Sequence, residues 1–423
     1  MFVKFNYYFV PCMSCVILFW YLVCCSFSLN SSYVFYGFIF DELSLFIVYM
    51  LCFVIFISFI FSISFLSSEV RLAIVSMLVI CFIIFITNNM FYFYLFYEAS
   101  LVPILYIIIK WGSYPERSVS SIILLIYTAV FTFPFLYVIM MLYLQNGTFV
   151  FNIYSNYISR TLFFSLLIFL SFAVKLPIYG LHFWLPMAHV EAPTFGSIIL
   201  AGVLLKLGGV GLIRFSCVMD ILALKKCSLS YFLVFLSYVT FVCCFQSDFK
   251  RLVAYSSVSH IITIPIILFS SNFVGFKGII SVIFLHGLSS PLLFMLVGVM
   301  YSFTFTRQHL LMRGLLCFNP LLSFLMVLAF FFTLSAPPFP SFLAEIFFTL
   351  SAIRVWSYSF FFVVLFLFLS IVYNLLWLTS INFLNQRSQL NFSFSFTYRC
   401  FIPIFMALFI VPMVFTVLFC FVF

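Results

Sequence analysis

Two lysines, Lys175 and Lys206, stand inside apolar sequence that is long enough to cross a membrane. A lysine at the centre of a bilayer costs roughly 2.5–3.5 kcal/mol on insertion scales, so such a residue usually has a function. Pro177 lacks a backbone hydrogen-bond donor, which predicts a helix break beside Lys175. A buried lysine exchanges its proton more readily than an arginine does. The pattern therefore predicts an ion path on which lysine can exchange protons.

Lys206 lies in a segment of small residues, after GSIILAG and before a pair of glycines. It is about 16 Å along a helix from Phe195, which places it at middle depth in a membrane. Small residues let helices approach closely. The segment therefore predicts a lysine held inside a tightly packed helix bundle.

Two acids have similar settings. Glu98 lies about 13 Å along a helix from Asn89 and about 18 Å from Lys110, near the middle of the bilayer. Glu345 ends the stretch LSAPPFPSFLAE, whose prolines predict a second broken helix. Burial favours the neutral form of a carboxyl group and a nearby ammonium favours the charged form, so such acids can exchange protons. For Glu98 the alternative is a structural ion pair or a packing hydrogen bond.

The histidines differ in their surroundings. His182 and His286 lie beside a predicted break or inside an apolar run, which favours a proton relay. His260 fits a relay and a structural hydrogen bond equally well. His189 and His309 are expected in or beside loops, where water solvates them. Glu191 is expected to stand at the end of a loop.

Composition places all of these groups in a membrane protein. The chain has 423 residues, of which 67% are hydrophobic and 6% are charged. A soluble domain would carry about 25% charged residues. The apolar runs are continuous and lack a period of two, which predicts a polytopic α-helical protein and disfavours a β-barrel. The 13 cysteines lie mostly in apolar runs and behave as small hydrophobic residues, so no metal site is predicted.

Short polar segments divide the chain into about 13 predicted transmembrane helices, which form a single domain of residues 1–423. Their centres fall near residues 19, 52, 79, 99, 131, 171, 205, 237, 261, 289, 335, 368 and 411. Lysine and arginine are more frequent in one set of alternating loops, which predicts an N-terminus on the interior side. The net charge of +9 is thus a topology signal, and no nucleic acid is expected as a partner.

Several motifs resemble one family. VKLPIYGLHFWLPMAHVEAP and GSIILAGVLLKLGGVGLIR resemble the signature of the antiporter-like chain 4 family of mitochondrial NADH:ubiquinone oxidoreductase, respiratory complex I. Further matches follow in the family's order: YEASLVP around Glu98, KWGSYPER from Lys110, QSDFKRLVAYSSVSH from Gln246, HGLSSPLLF from His286, and the double proline before Glu345. The resemblance runs from about Asp41 to the C-terminus.

The resemblance implies a row of buried groups that carries protons across the subunit. Glu98 and Lys175 would form the first ion pair, and Lys206 would be the central carrier. Glu345 would be the terminal carrier toward the far side. Water would connect the row through the histidines, His182 and His286.

The resemblance also implies an antiporter-like fold with two broken helices and inverted repeats. The regions are a single N-terminal span at 1–36, a first repeat at 88–215, a second repeat at 228–352 and C-terminal spans at 353–423. The typical member has one further N-terminal helix.

No cofactor is expected in this chain, because FMN, iron–sulfur clusters and ubiquinone would lie in other subunits. Expected partners are the other membrane-arm subunits, especially neighbouring antiporter-like subunits, and lipids such as cardiolipin. The expected location is the mitochondrial inner membrane, with the N-terminus on the matrix side.

Two other functions stay open. A cation/proton antiporter subunit shares the Glu–Lys–Lys pattern, although PER after the first acid and AHVEAP favour the respiratory family. A structural spacer that has lost pumping is the second alternative. The presence of all four buried charged groups argues against it.

Overall fold

The computed structural model describes residues 33–382, apart from 36–37, 63–66, 113, 152–161, 271, 310–312, 315, 317–318 and 338. The chain divides into two compact units, Met1–Ser228 and Leu229–Phe423. The described residues are mostly helical, which confirms the all-α prediction. The departure from it is a short antiparallel hairpin of β1 (Tyr33–Phe35) and β2 (Phe38–Phe40). The predicted N-terminal span at 1–36 lies outside the described residues, except for β1.

The described helices of the first unit lie between the hairpin and residue 215. They are α1 (Glu42–Ser62), α2 (Ser68–Ile86), α3 (Met90–Ala99), α4 (Leu101–Trp111), α5 (Arg117–Asn146), α6 (Leu162–Lys175), α7 (Trp184–Glu191), α8 (Thr194–Ile199), a π-helical turn (Leu200–Leu204) and α9 (Leu205–Phe215). The π-helical turn joins α8 and α9 into one continuous helical rod.

The remaining helices belong to the second unit, apart from the first turns of α10. They are α10 (Ile221–Cys244), α11 (Phe249–Ile261), α12 (Thr263–Leu268), α13 (Phe273–Thr304), α14 (Pro320–Thr333), α15 (Ser341–Val355) and α16 (Ser359–Asn382). α13 packs against α11, α14 and α15, and therefore lies at the core of this unit.

The chain is a multi-pass membrane protein. Seven described segments are long and apolar enough to cross a bilayer: Ser68–Ile86, Met90–Trp111, Arg117–Asn146, Thr194–Phe215, Phe249–Leu268, Val274–Ser302 and Ser359–Asn382. Shorter apolar helices accompany them: Leu43–Phe59, Leu162–Lys175, Ser228–Cys244 and Pro320–Thr333. The predicted centres between 52 and 368 all lie in helices, except the one near 335, which falls in a break. The centres near 19 and 411 lie outside the described residues.

Local sequence sets several helix ends. The Asn89 side chain accepts hydrogen bonds from the backbone of Phe91 and Tyr92, and thereby begins α3. Asn319 caps α14 in the same way, with Pro320 in the first turn, where its missing donor has no cost. Gly147 ends α5 at a φ of 72°, a conformation that glycine adopts without strain.

Both predicted helix breaks are present. α6 ends at Lys175, and irregular residues 176–183 lead into α7. α14 ends at Thr333, and a second irregular stretch leads into α15. The first break has a φ of 81° at Gly180, and the second has a φ of 54° at Ser335. The prolines that predicted the breaks thus do interrupt two apolar helices.

Glycines bring α9 into close contact with α6. A methyl group at Gly208 would lie 2.9 Å from a side-chain carbon of Leu176 and 3.2 Å from the Phe172 carbonyl oxygen. A methyl group at Gly211 would overlap the ring of Phe172. The prediction that small residues allow close packing is therefore confirmed here, and it brings the Lys206 helix against the helix that ends at Lys175.

Gly211→Ala should destabilise the protein by about 1–3 kcal/mol, the usual cost of overpacking a filled core. The reason is the clash between the new methyl group and the Phe172 ring. Thermal inactivation of the assembled protein measures the effect. Gly147→Asn is the control, because its site is open and asparagine tolerates the left-handed backbone. Equal inactivation temperatures for both variants would contradict the packing argument.

Candidate functional site

Lys175 is fully buried at the last turn of α6. Its Nζ donates a hydrogen bond of 3.0 Å to the Tyr97 carbonyl oxygen and lies 3.1 Å from the centre of the Tyr97 ring. The Tyr97 hydroxyl donates to the Ser171 carbonyl oxygen at 3.4 Å. One tyrosine therefore binds the α6 backbone and also faces the ammonium group with its carbonyl and its π-electron cloud.

The Tyr97 carbonyl is available because α3 is interrupted there. The helix ends at Ala99, and Ser100 separates it from α4. The Ser100 hydroxyl donates to the same carbonyl at 2.6 Å. Pro103 follows in α4 and lacks the backbone donor that would bind the Ala99 carbonyl. A local irregularity in the helix thus supplies the oxygen that the buried lysine needs.

Glu98 lies next to this arrangement without bonding to Lys175. Among the described residues, no ion pair joins Glu98 to Lys175 within 4.0 Å. Glu98 directly follows Tyr97, whose carbonyl oxygen binds the Lys175 ammonium, so the opposite charges are close enough to attract each other. Glu98 Oε1 is buried and has no hydrogen-bond partner in the part of the chain that is described. The carboxylate therefore presents a free acceptor close to a buried ammonium group.

Lys206 is also buried, with 2% of its surface exposed. Its Nζ donates a hydrogen bond of 2.6 Å to the carbonyl oxygen of Ala201. Ala201 belongs to the π-helical turn Leu200–Leu204, and such turns are frequent at functional sites. The sequence does not reveal this turn, because the small residues there indicate only close packing.

Arg214, at the end of α9, forms an ion pair that the sequence reasoning also missed. Its two terminal nitrogens contact the Asp41 carboxylate at 2.6 and 3.0 Å. Asp41 in turn accepts a hydrogen bond from the Ser44 backbone at the start of α1. The available signal was an acid just before an apolar helix, in a capping position. This bidentate pair fixes the end of the Lys206 helix to the beginning of α1.

His182 lies in the first break with 3% of its surface exposed. It packs against the rings of Tyr179 and Phe183. It follows Lys175 by seven positions and belongs to the irregular segment 176–183, so the predicted position beside a helix break is confirmed.

One expectation for this region is wrong. His189 was expected in or beside a loop and solvated, but it lies on α7 and is completely buried. Glu191 does stand at the end of α7, where a loop begins, and it is buried as well. The reason is that α7 packs against α5, so a segment that reads as a loop is enclosed by the bundle. His309, in contrast, remains partly exposed and bonds to the Ser247 carbonyl.

In the second unit, three predicted residues share one cavity. The rings of His260 and His286 are 5.6 Å apart between centres. Glu345 lines the same cavity, and its Oε1 accepts a hydrogen bond of 2.7 Å from the Ser335 hydroxyl. The cavity volume that the centres of water molecules can occupy is about 40 Å³. By the same measure, one water molecule needs about 10–15 Å³. The cavity can therefore hold a few waters between the acid and the histidines.

These groups suit proton transfer better than metal binding. Among the described residues, no group of three or more His, Cys, Asp or Glu side chains converges on a metal position. The neighbouring groups are instead an acid and two histidines that share a cavity in the second unit, and an acid near a lysine, without an ion pair, in the first. Such pairs can pass a proton from one group to the next.

Buried lysines on broken helices within an apolar bundle define an antiporter-like membrane protein. Residues 87–373 match the family model described as "NADH:quinone oxidoreductase/Mrp antiporter, TM", and the chain belongs to this family. Among individual proteins, the chain is similar to NADH-ubiquinone oxidoreductase chain 4 of Lumbricus terrestris. The two are 37% identical over 318 residues, which is 73% of this chain and 70% of the relative.

Solved structures agree on the fold. A chain of respiratory complex I from Thermus thermophilus superimposes with a TM-score of 0.86 at 21% identity, over 95% of this chain and 90% of that chain. A chain of the Mrp complex from Dietzia sp. DQ12-45-1b gives a TM-score of 0.80 at 15% identity, over 91% and 76%. At these identities the likeness establishes the antiporter-like fold alone, which the sequence motifs had predicted.

Tyr97→Leu should slow proton translocation by roughly ten-fold, because it removes the ring face on which the Lys175 ammonium lies. Tyr97→Phe keeps the ring and the backbone carbonyl and loses only the long bond to Ser171, so it should stay near the unchanged rate. The measurement is proton uptake by vesicles that contain the assembled protein. If leucine and phenylalanine had equal effects, the ring would have no role in holding Lys175.

Proposed function

We propose that this chain is a proton-translocating membrane-arm subunit of NADH:ubiquinone oxidoreductase. The observation that carries the proposal is Lys206, a buried lysine bonded to the carbonyl oxygen of a π-helical turn within a membrane-spanning segment. Such a group is costly in a bilayer and is retained when it moves an ion. The similarity to chain 4 of the Lumbricus enzyme supports the particular assembly.

The proton path begins at Glu98 and Lys175. Glu98 has a buried acceptor oxygen without a partner among the described residues, and Lys175 is held by the Tyr97 carbonyl. A side-chain movement of Lys175 toward Glu98 would exchange a hydrogen bond to a neutral carbonyl group for an ion pair. Forming and breaking that pair changes the electrostatic field at Lys206, the central carrier. His182 lies in the break between α6 and α7, and it connects the two lysines through water.

The path ends at Glu345 in the second unit. His260 and His286 share a cavity with this acid, and the cavity is large enough for a few waters. A proton that reaches either histidine can therefore pass to the carboxylate along hydrogen bonds. Glu345 is the terminal carrier, from which the proton leaves on the far side of the membrane.

Electron transfer takes place elsewhere in the proposed assembly. FMN, iron–sulfur clusters and ubiquinone belong to other subunits, and this chain binds its neighbours in the membrane arm. Those neighbours include antiporter-like subunits, and cardiolipin covers part of the lipid-facing surface. The location is the mitochondrial inner membrane with the N-terminus on the matrix side, as the distribution of lysine and arginine favours.

A cation/proton antiporter subunit is the second candidate. The observation in its favour is the structural likeness to a chain of an Mrp complex, with a TM-score of 0.80. The same buried groups would then exchange protons for another cation, without NADH oxidation. The partners of the chain separate the two functions.

Lys206→Met should reduce proton pumping at least ten-fold while leaving membrane insertion and assembly intact. Methionine keeps the length and apolar stem of the side chain but cannot bind a proton. Pumping is measured as NADH-driven acidification of vesicles that contain the assembled complex. Lys226→Met is the matched control, because that lysine is exposed at the start of α10. Normal pumping by the Lys206 variant would remove this residue from the path.

The chain should migrate with a large assembly that oxidises NADH when membranes are solubilised gently and separated on a native gel. Detection of the chain by antibody and an in-gel NADH assay give the answer together. Migration in a smaller assembly without NADH oxidation, combined with sodium-dependent proton exchange in vesicles, would favour the antiporter instead.

A further inference from the structure

The second helix break contains a serine in a backbone conformation that favours glycine. Ser335 has a φ of 54°, and among the described non-glycine residues only Phe305 shares a positive φ. A side chain in the left-handed region is strained, and such strain persists where the surroundings require it. The position is therefore one where a glycine would be easier to accommodate.

The hydrogen bonds identify this position as a Schellman motif at the end of α14. The Ala336 backbone donates to the Phe331 carbonyl at 3.1 Å, and the Ser335 backbone donates to the Phe332 carbonyl at 3.3 Å. Glycine is the usual residue at the left-handed position of this motif. The capping geometry accounts for the positive φ, but it does not account for the presence of serine.

The serine hydroxyl has a specific partner. Ser335 Oγ donates a hydrogen bond of 2.7 Å to Glu345 Oε1, and the serine is buried. Both residues line the cavity that contains His260 and His286. Glycine at this position would relieve the strain and lose the bond.

The other hydroxyls on this cavity behave differently. Each donates to a backbone carbonyl oxygen rather than to an acid. They are Thr263, Ser289, Thr333 and Ser341. Among the described residues that line the cavity, Ser335 is therefore the one whose hydroxyl donates a hydrogen bond to the Glu345 carboxyl group.

We propose that Ser335 is a positioning residue for Glu345, which holds the carboxyl group on the His260–His286 cavity through its hydroxyl. This role rests on the proposed proton path, in which Glu345 is the terminal carrier. The strained backbone aims the Ser335 side chain across the break, from the end of α14 to the first turns of α15. The hydrogen bond thus joins the two halves of the broken helix at the group that accepts the proton.

Ser335→Gly separates capping from positioning. The assembled complex should be as resistant to heat as before, or more so, because glycine suits the left-handed backbone. Proton pumping should nevertheless fall by roughly ten-fold, the size expected for the loss of one hydrogen bond. Unchanged pumping by this variant would overturn the proposal, since only the hydroxyl and the strain have been removed.

Two further variants act as controls. Ser335→Asn tolerates a positive φ and supplies an amide donor, so it should recover part of the pumping that glycine loses. Ser351→Ala removes a hydroxyl from α15, the helix that carries Glu345. Its hydrogen bond among the described residues goes to the Phe348 carbonyl, so this variant should pump normally. Equal losses in the asparagine and glycine variants would contradict a role for the donor.

An infrared measurement tests the bond without relying on transport. The carboxyl stretching band of Glu345 is assigned in the assembled complex by its loss in Glu345→Gln. It should move to higher wavenumber in Ser335→Gly, because the hydrogen bond that weakens the C=O bond is gone, and stay in place in Ser351→Ala. An unmoved band would overturn the positioning role. Normal pumping by Glu345→Gln would instead overturn the proposed terminal carrier, so the two failures are distinct.

Discussion

A charged group that leaves water must find hydrogen-bond partners, and in an apolar helix bundle the nearest ones are backbone carbonyl oxygens. Regular helices use their carbonyls internally. This chain supplies them at irregular points: the Tyr97 carbonyl at the interruption of α3 binds Lys175, and the Ala201 carbonyl in the π-helical turn binds Lys206. The buried charges and the helix irregularities therefore depend on each other.

Close packing maintains these irregular points. Gly208 and Gly211 bring α9 against α6, so that the ring of Phe172 lies between the two lysine-bearing helices. That ring belongs to a cluster of aromatic side chains with centres about 5–6 Å apart, in tilted and edge-to-face contacts: Phe93, Tyr97, Phe135, Phe172 and Phe215. Such contacts are specific in geometry as well as apolar. The cluster holds the Tyr97 ring, on which the Lys175 ammonium lies, against the Phe172 ring.

Much of the architecture could be predicted from the sequence, because its signals are local. Continuous apolar runs predict membrane helices, and Pro177 and the prolines before Glu345 predict the two breaks. The candidate site was predicted less completely. His260, His286 and Glu345 do share a cavity, whereas Lys175 bonds to Tyr97 rather than to Glu98. Local rules identify an ionisable group in an apolar run, but they do not identify the partner it meets.

The sequence by itself determined the membrane class, the positions of the broken helices and the set of ionisable groups inside the apolar segments. The tertiary structure alone decided which partner each group has. It buries His189 on α7, pairs Arg214 with Asp41, and places the Ser335 hydroxyl on Glu345. The physical reason is that helix propensity and hydrophobicity act over a few residues. Burial and hydrogen-bond partners, in contrast, arise between segments that are distant in sequence and meet only when the helices pack.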